Sequence, residues 1–115
     1  MVAEAVKELL ETEGWTVETC RDSTRALKLL QGETHYDVLI FDNKLSGVSG
    51  VELIRHARRI PHHQHTPIIM LSGSDVEKEA RRAGATAFLK KPGDIHAIAE
   101  TITRLLARKS KQKGK

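Results

Sequence analysis

Apolar positions along the chain recur with two periods that take turns. Val2, Val6, Leu9 and Leu10 fall at helical spacing and Gly14 follows as a stop signal, so the pattern predicts a helix over residues 2–13. Residues 15–20 (WTVETC) alternate apolar and polar with β-favouring types, which predicts a strand. A second helix opens at Asp22 or Ser23, either of which can cap its free N–H groups. It carries Ala26, Leu27 and Leu30 inward and ends at Gly32. Residues 37–41 (DVLIF) are a short, almost wholly apolar run, as expected of a strand covered on both faces.

A loop rich in Gly and Ser follows. Ser49 and Glu52 then form a capping box that opens a helix with Val51, Leu53 and Ile54. Pro61 and a His-rich stretch break it. Residues 67–71 (PIIML) read as another buried strand, and Ser74 or Asp75 caps a short helix ending at Gly84. Residues 87–90 form a last strand, and Ile95, Ile98, Ile102, Leu105 and Leu106 make the inner stripe of a final helix. The order α-β-α-β-α-β-α-β-α implies right-handed crossovers and a parallel sheet with helices on both faces. No repeat and no linker divides the chain, so residues 1–107 read as one domain.

In such sheets ligands bind at the carboxyl ends of the strands. Asp42 follows the DVLIF run, Ser72 follows PIIML, and Lys91 follows the last strand. A carboxylate can attack phosphorus as a nucleophile. The transferring group spreads negative charge over its oxygens and needs a cation and hydrogen-bond donors around it. Lys91 offers the cation, Ser72 a short donor, and Gly73 leaves room for the group to enter. Taken singly, a strand-end Asp is more often a cap or turn residue and a Lys is more often solvated. The three at one edge point to phosphate chemistry.

Composition changes this picture little. With 115 residues, 39% of them hydrophobic and 30% charged, the chain fits a single globule. No apolar run is long enough to span a bilayer, and Glu4, Glu8, Glu11 and Glu13 leave no room for the apolar core of a signal peptide. The lone Cys20 suits a reducing, cytoplasmic setting. Of the net charge of +4, Arg108, Lys109, Lys111, Lys113 and Lys115 supply more than the whole, so basicity belongs to the end of the chain. Residues 108–115 are expected to be a disordered, solvated tail, and contact with nucleic acid is expected only through it. His56, His62, His63 and His65 lack an acidic or cysteine partner nearby and are expected in a solvated loop without metal. Neither phosphate-cradling glycine motif occurs.

The stretch Asp42-Asn43-Lys44-Leu45-Ser46-Gly47-Val48-Ser49-Gly50 resembles the phosphorylation loop D-x-x-[ML]-P-x-x-x-G of bacterial response regulator receiver (CheY-like) domains, with Ser46 where that family usually has proline. TPIIMLSGS and AGATAFLKKP downstream are similar to the family's second and third signatures, and the register agrees from Val2 to about Ala107. The resemblance implies a flavodoxin-like, doubly wound parallel sheet of strand order 2-1-3-4-5. By position, it makes Asp42 the phosphoacceptor, with Ser72 and Lys91 bonding and pairing the phosphoryl group. Phe88 becomes the aromatic switch that moves with Ser72. The backbone carbonyl of Lys44 joins Asp42 on a magnesium ion, while the Lys44 side chain and Ser74 tune dephosphorylation. The Lys91–Pro92 bond is often cis in the family.

One part of the pattern has no counterpart here. The family begins with a central strand ending in an acidic pair, whereas this chain opens at the helix that follows it. Magnesium favours oxygen ligands and commonly uses one or two carboxylates, and neither Glu13 nor Asp22 is placed to replace the pair, so weak magnesium binding is expected. The strands flanking the gap are expected to pair directly, to borrow a strand from another copy as a homodimer, or to leave the domain partly molten. A natural start roughly ten residues upstream of Met1 is the expected origin of the gap.

The resemblance implies a phosphorelay domain that takes a phosphoryl group from a histidine kinase or phosphotransfer protein. It would then switch a surface of the last two helices and last strand toward a downstream protein target. Its own catalysis extends at most to self-phosphorylation and self-dephosphorylation. The alternative is a pseudo-receiver that binds partners without phosphorylation.

Overall fold

The computed structural model describes residues 2–20, 22–42, 48–91 and 93–113. Five α-helices surround three strands among them: α1 (Val2–Thr12), α2 (Ser23–Gln31), β1 (Leu39–Asp42), α3 (Gly50–Arg59), β2 (Ile68–Ser72), α4 (Glu77–Ala83), β3 (Ala87–Lys90) and α5 (Ile98–Lys113). The sheet is wholly parallel in the order β1-β2-β3. Asp42 pairs with Leu71 at one end of the ladder, and Ser72 pairs with Lys90 beside it.

Side chains of a strand alternate between faces, and here each face has its own cover. Leu39, Phe41, Ile68 and Met70 pack with Leu30, Val51, Leu53, Ile54, Ala57 and Ala80, which come from α2, α3 and α4. Ile69, Leu71 and Leu89 pack on the other face with Val6 and Leu10 of α1 and Ile98, Ile102 and Leu105 of α5. Every residue of the central strand β2 is buried, which explains its unbroken apolar run. The doubly wound, flavodoxin-like architecture follows from these two cores. No helix among the described residues is long and apolar enough to cross a membrane.

Local signals set most boundaries. Gly14 at φ +93 turns the chain out of α1, a backbone geometry that an L side chain resists. At α2 the Asp22 carboxylate caps the helix by accepting the Thr24 N–H at 3.1 Å, which leaves Ser23 for other work. Ser49 caps α3 by accepting the Glu52 N–H at 3.2 Å, while the Glu52 side chain turns to Arg55. A 3-10 turn, Gly93–Ala97, precedes α5.

Four expectations need correction. Residues 15–20 carry strand-like alternation but join no ladder. In the order 2-1-3-4-5 their neighbour is the central strand that has no counterpart in this chain, so the pattern is present without a partner. They do not pair with β1 directly; Trp15 and Val17 pack instead against the core of α1 and α5. Helix α4 begins at Glu77 behind Val76, with no side-chain cap, rather than at Ser74 or Asp75. The Ser74 N–H is turned back onto the Ser72 hydroxyl at 3.0 Å, so that segment is a turn. Helix α5 continues to Lys113, through residues expected to form a disordered tail. Arg, Lys and Gln there are strong helix formers, and neither Gly nor Pro interrupts before Gly114.

The fourth correction concerns the histidines. His65 is exposed as expected, but His63 is fully buried, with Nδ1 at 3.2 Å from the Thr66 hydroxyl and its ring stacked on Tyr36. His62 donates from Nε2 to the Leu30 carbonyl at 3.1 Å. The loop is drawn down by Arg58, whose guanidinium donates to the carbonyls of His63, Gln64, Thr66 and Gly84 at 2.7 to 3.2 Å. Burial lowers the pKa of Arg58 from its ordinary value. Five donors in a rigid fork suit this gathering of carbonyls.

Candidate functional site

The carboxyl ends of the three strands meet at one edge of the sheet. Asp42 is the last residue of β1, Ser72 the last of β2, and Lys91 directly follows β3. The strands thus run one residue past the apolar stretches, and Asp42 and Ser72 sit inside the ladder, where the pairing fixes their backbone. The Lys91 N–H donates to the Ser72 carbonyl at 2.9 Å, extending the parallel pattern past β3. The Lys90 N–H is held by the Asp94 carboxylate at 2.9 Å, which steadies the turn that carries Lys91. Asp94 was not singled out by the sequence; a carboxylate four residues after a strand residue is too common a pattern to do so.

The Lys91 ammonium lies 2.6 Å from Oδ2 of Asp42. The two side chains are 18% and 31% exposed, so the pair is partly shielded yet open to an incoming group. Such charge-assisted bonds are short and strong when water is partly excluded. Ser72 is 1% exposed, and its Oγ accepts the Ser74 N–H, which leaves the hydroxyl proton to be donated. A nucleophilic oxygen, a fixed positive charge and a hydroxyl donor therefore share one edge. That set can accept a phosphoryl group and offset its charge.

Phe88 is half-buried, in register with Met70, and packs against the core on the α2–α3–α4 side. Ser74 is half-buried beside the site and is tied to Ser72 through its backbone. Lys44, Ser46 and Pro92 lie outside the described residues. No group of three or more His, Cys, Asp or Glu side chains able to hold a metal gathers among the described residues. Asp42 offers a carboxylate at this edge, and Lys91 engages one of its oxygens. Magnesium takes oxygen ligands and commonly uses one or two carboxylates with phosphate and water.

Val48 makes a contact that sequence reasoning missed. The Val48 N–H donates to the hydroxyl of Ser23 at 2.8 Å, across 25 residues. Ser23 is fully buried. Its sequence signal was that of a helix cap, and nothing local could reveal so distant a partner.

Comparison with known proteins agrees with this geometry. The response regulator receiver domain family matches residues 1–103. The phosphate regulon transcriptional regulatory protein PhoB of Rhizobium meliloti is 37% identical over 102 residues, covering 86% of this chain and 44% of that protein. The chain thus spans less than half of that regulator's length. The chemotaxis protein CheY of Pseudomonas aeruginosa is 29% identical over 107 residues, covering 90% of this chain and 86% of CheY. The crystal structure of a CheY-like response regulator receiver domain protein from Methanospirillum hungatei superposes with a TM-score of 0.87 at 26% identity, covering 96% of this chain and 89% of that one. A two-faced parallel sheet, with an acid, a hydroxyl and a lysine at its carboxyl edge, is thus matched by sequence family over most of its length: the chain belongs to the response regulator receiver domains, the CheY-like domains of two-component signalling.

Proposed function

We propose that Asp42 accepts a phosphoryl group from a histidine kinase or phosphotransfer protein. The observation that carries this reading is the 2.6 Å pairing of Asp42 with Lys91 beside the buried Ser72 hydroxyl. A carboxylate oxygen of Asp42 attacks the phosphorus of a phosphohistidine. The new P–O bond forms as the P–N bond breaks, and the imidazole nitrogen keeps the electron pair and takes up a proton. Lys91 offsets the charge on the phosphoryl oxygens, and Ser72 donates its hydroxyl proton to one of them. Movement of Ser72 toward that group frees space for Phe88 to change rotamer, which alters the surface of α4, β3 and α5 that a downstream protein reads. Ser74 and Lys44 set the rate at which water removes the group.

Magnesium belongs to this chemistry in the family, and Asp42 with the Lys44 carbonyl would be its ligands here. No step is assigned to the metal. A second reading is a pseudo-receiver whose partner binding ignores Asp42, since the family's acidic pair has no counterpart in this sequence.

A backbone amide NMR titration with magnesium and beryllofluoride, a mimic of the phosphoryl group on Asp42, separates the two. Shifts spreading from Asp42, Ser72 and Lys91 to Phe88, and absent in Asp42→Ala, are the expected result. A well-dispersed spectrum that does not respond overturns the phosphoacceptor reading and leaves the binding module.

A further inference from the structure

Lys91 reaches Asp42 from the end of an outer strand. The ladder runs β1-β2-β3, with no further strand beyond β3 among the described residues. An outer strand leaves backbone groups that no ladder takes up. At the end of β3 two consecutive N–H groups find different acceptors. The Lys91 N–H donates to the Ser72 carbonyl at 2.9 Å, on the β2 side. The Lys90 N–H, one residue earlier, donates to Oδ2 of Asp94 at 2.9 Å.

Asp94 lies in the first turn of the 3-10 segment Gly93–Ala97. A carboxylate in such a place ordinarily caps N–H groups ahead of it. This one reaches back four residues to the strand, and a bond to an ionised acceptor is stronger than one between neutral groups. The last peptide units of β3 are therefore anchored separately, by Ser72 and by Asp94. Lys91 carries its charge on a flexible four-carbon stem, so the 2.6 Å approach to Asp42 depends on a fixed root. Asp94 forms no ion pair with Lys91 among the described residues, which leaves the backbone as its route to the site.

We infer that Asp94 is a positioning residue of the acceptor site, whose carboxylate fixes the end of β3 through the Lys90 N–H and so places the Lys91 ammonium on Asp42. This rests on the reading of Asp42 as phosphoacceptor, in which Lys91 offsets the charge of the phosphoryl oxygens. Coulomb attraction falls as the charges separate, so a Lys91 with a looser root stabilises the incoming group less. Asp94 acts through Lys90 and Lys91 and not on the reacting atoms.

The test compares wild type, Asp94→Ala and Asp94→Asn by amide hydrogen exchange and by titration with magnesium and beryllofluoride followed in NMR spectra. Asp94 is exposed, so neither change opens the core. Asp94→Ala is expected to lower the exchange protection of Lys90 about tenfold, as the loss of one hydrogen bond does. It is expected to weaken beryllofluoride binding about fivefold, through the attraction lost from a less fixed Lys91. The amides of Ile69 and Met70 in β2 are expected to keep their protection. Asp94→Asn, which keeps an acceptor oxygen at the same reach, is expected to restore most of both effects.

A simple charge effect has the opposite sign. Removing a negative charge near an anion site would tighten beryllofluoride binding in both variants, and that result overturns the proposal. Unchanged protection at Lys90 overturns the tie. Unchanged affinity with a loosened Lys90 overturns the role of Asp94 at the site. Loss of protection throughout β2 in step with Lys90 reduces Asp94 to a general stabiliser and also overturns the proposal. If wild type binds no beryllofluoride, the phosphoacceptor reading fails and the role of Asp94 with it. That failure is read from wild type alone, before Asp94 is altered.

Discussion

Asp42, Ser72 and Lys91 were legible in the sequence because each sits at the carboxyl end of a recognisable apolar run, and parallel sheets gather such ends on one edge. Ser23 and Arg58 were not. Their partners lie 25 and 26 residues away in the chain, and nothing in a local pattern reports a hydrogen bond of that span. Arg58 leads to a prediction at this scale. Gly84 holds φ at +122, and a Cβ placed there would stand 2.8 Å from Cγ of Arg58 and 2.9 Å from its Nε. The same Arg58 donates twice to the Gly84 carbonyl, at 2.7 and 3.0 Å. Gly84→Ala therefore meets both backbone strain and a crowded, hydrogen-bonded neighbour that has little freedom to retreat. It is expected to destabilise the fold by about 1–3 kcal/mol, read as a lower midpoint in urea with an unchanged slope. A change below a few tenths of a kcal/mol would show that Arg58 yields easily and that its carbonyl cluster contributes little.

Elements were legible where their signals were self-contained. The period of α3 and its Ser49 cap lie within one short stretch, and both form as the pattern indicates. Signals that could be answered in two ways misled: the Ser74 and Asp75 pair reads as a helix cap, yet the Ser74 N–H closes a turn onto Ser72. Strand-like alternation misled at residues 15–20 for a different reason, because a strand exists only with a neighbour to pair with. The buried inner face of α3 (Val51, Leu53, Ile54 and Ala57) is held at its start by Ser49 alone among side-chain caps. Ser49→Ala is expected to cost about 1 kcal/mol of global stability. Val48 beside it keeps its bond to Ser23, so thermal unfolding should shift while the beryllofluoride response of the folded protein persists. Loss of that response at temperatures where the variant is fully folded would mean that the α3 cap also bears on the site at Asp42.

The two-faced layering of the molecule follows from alternating helices and apolar strands, and was legible. How residues 15–20 sit beside the sheet was not, since side chains rather than a ladder make the contact. The tyrosine count supplies a direct probe: Tyr36 is the only tyrosine, so phenolate absorbance reports on it alone. Its pKa is raised above the ordinary 10.0, first by burial, then by the charge of Glu18 and the hydrogen bond to it, and last by Cys20. Each cause favours the neutral phenol in the folded state. The unfolded chain ionises at the ordinary value, so the stabilising effect is fully present below pH 10.0 and is lost as pH rises through the higher folded value. A spectroscopic titration of the native protein should therefore place the phenolate transition above that of the urea-unfolded chain, and stability should fall with pH only on the alkaline side. Glu18→Gln removes the repelling charge and should bring the native transition part of the way down, leaving the share due to burial. A native transition that ignores Glu18→Gln would mean that the carboxylate does not reach Tyr36. Residues 15–20 would then have to be held to the sheet by the packing of Trp15 and Val17 against the α1–α5 core alone.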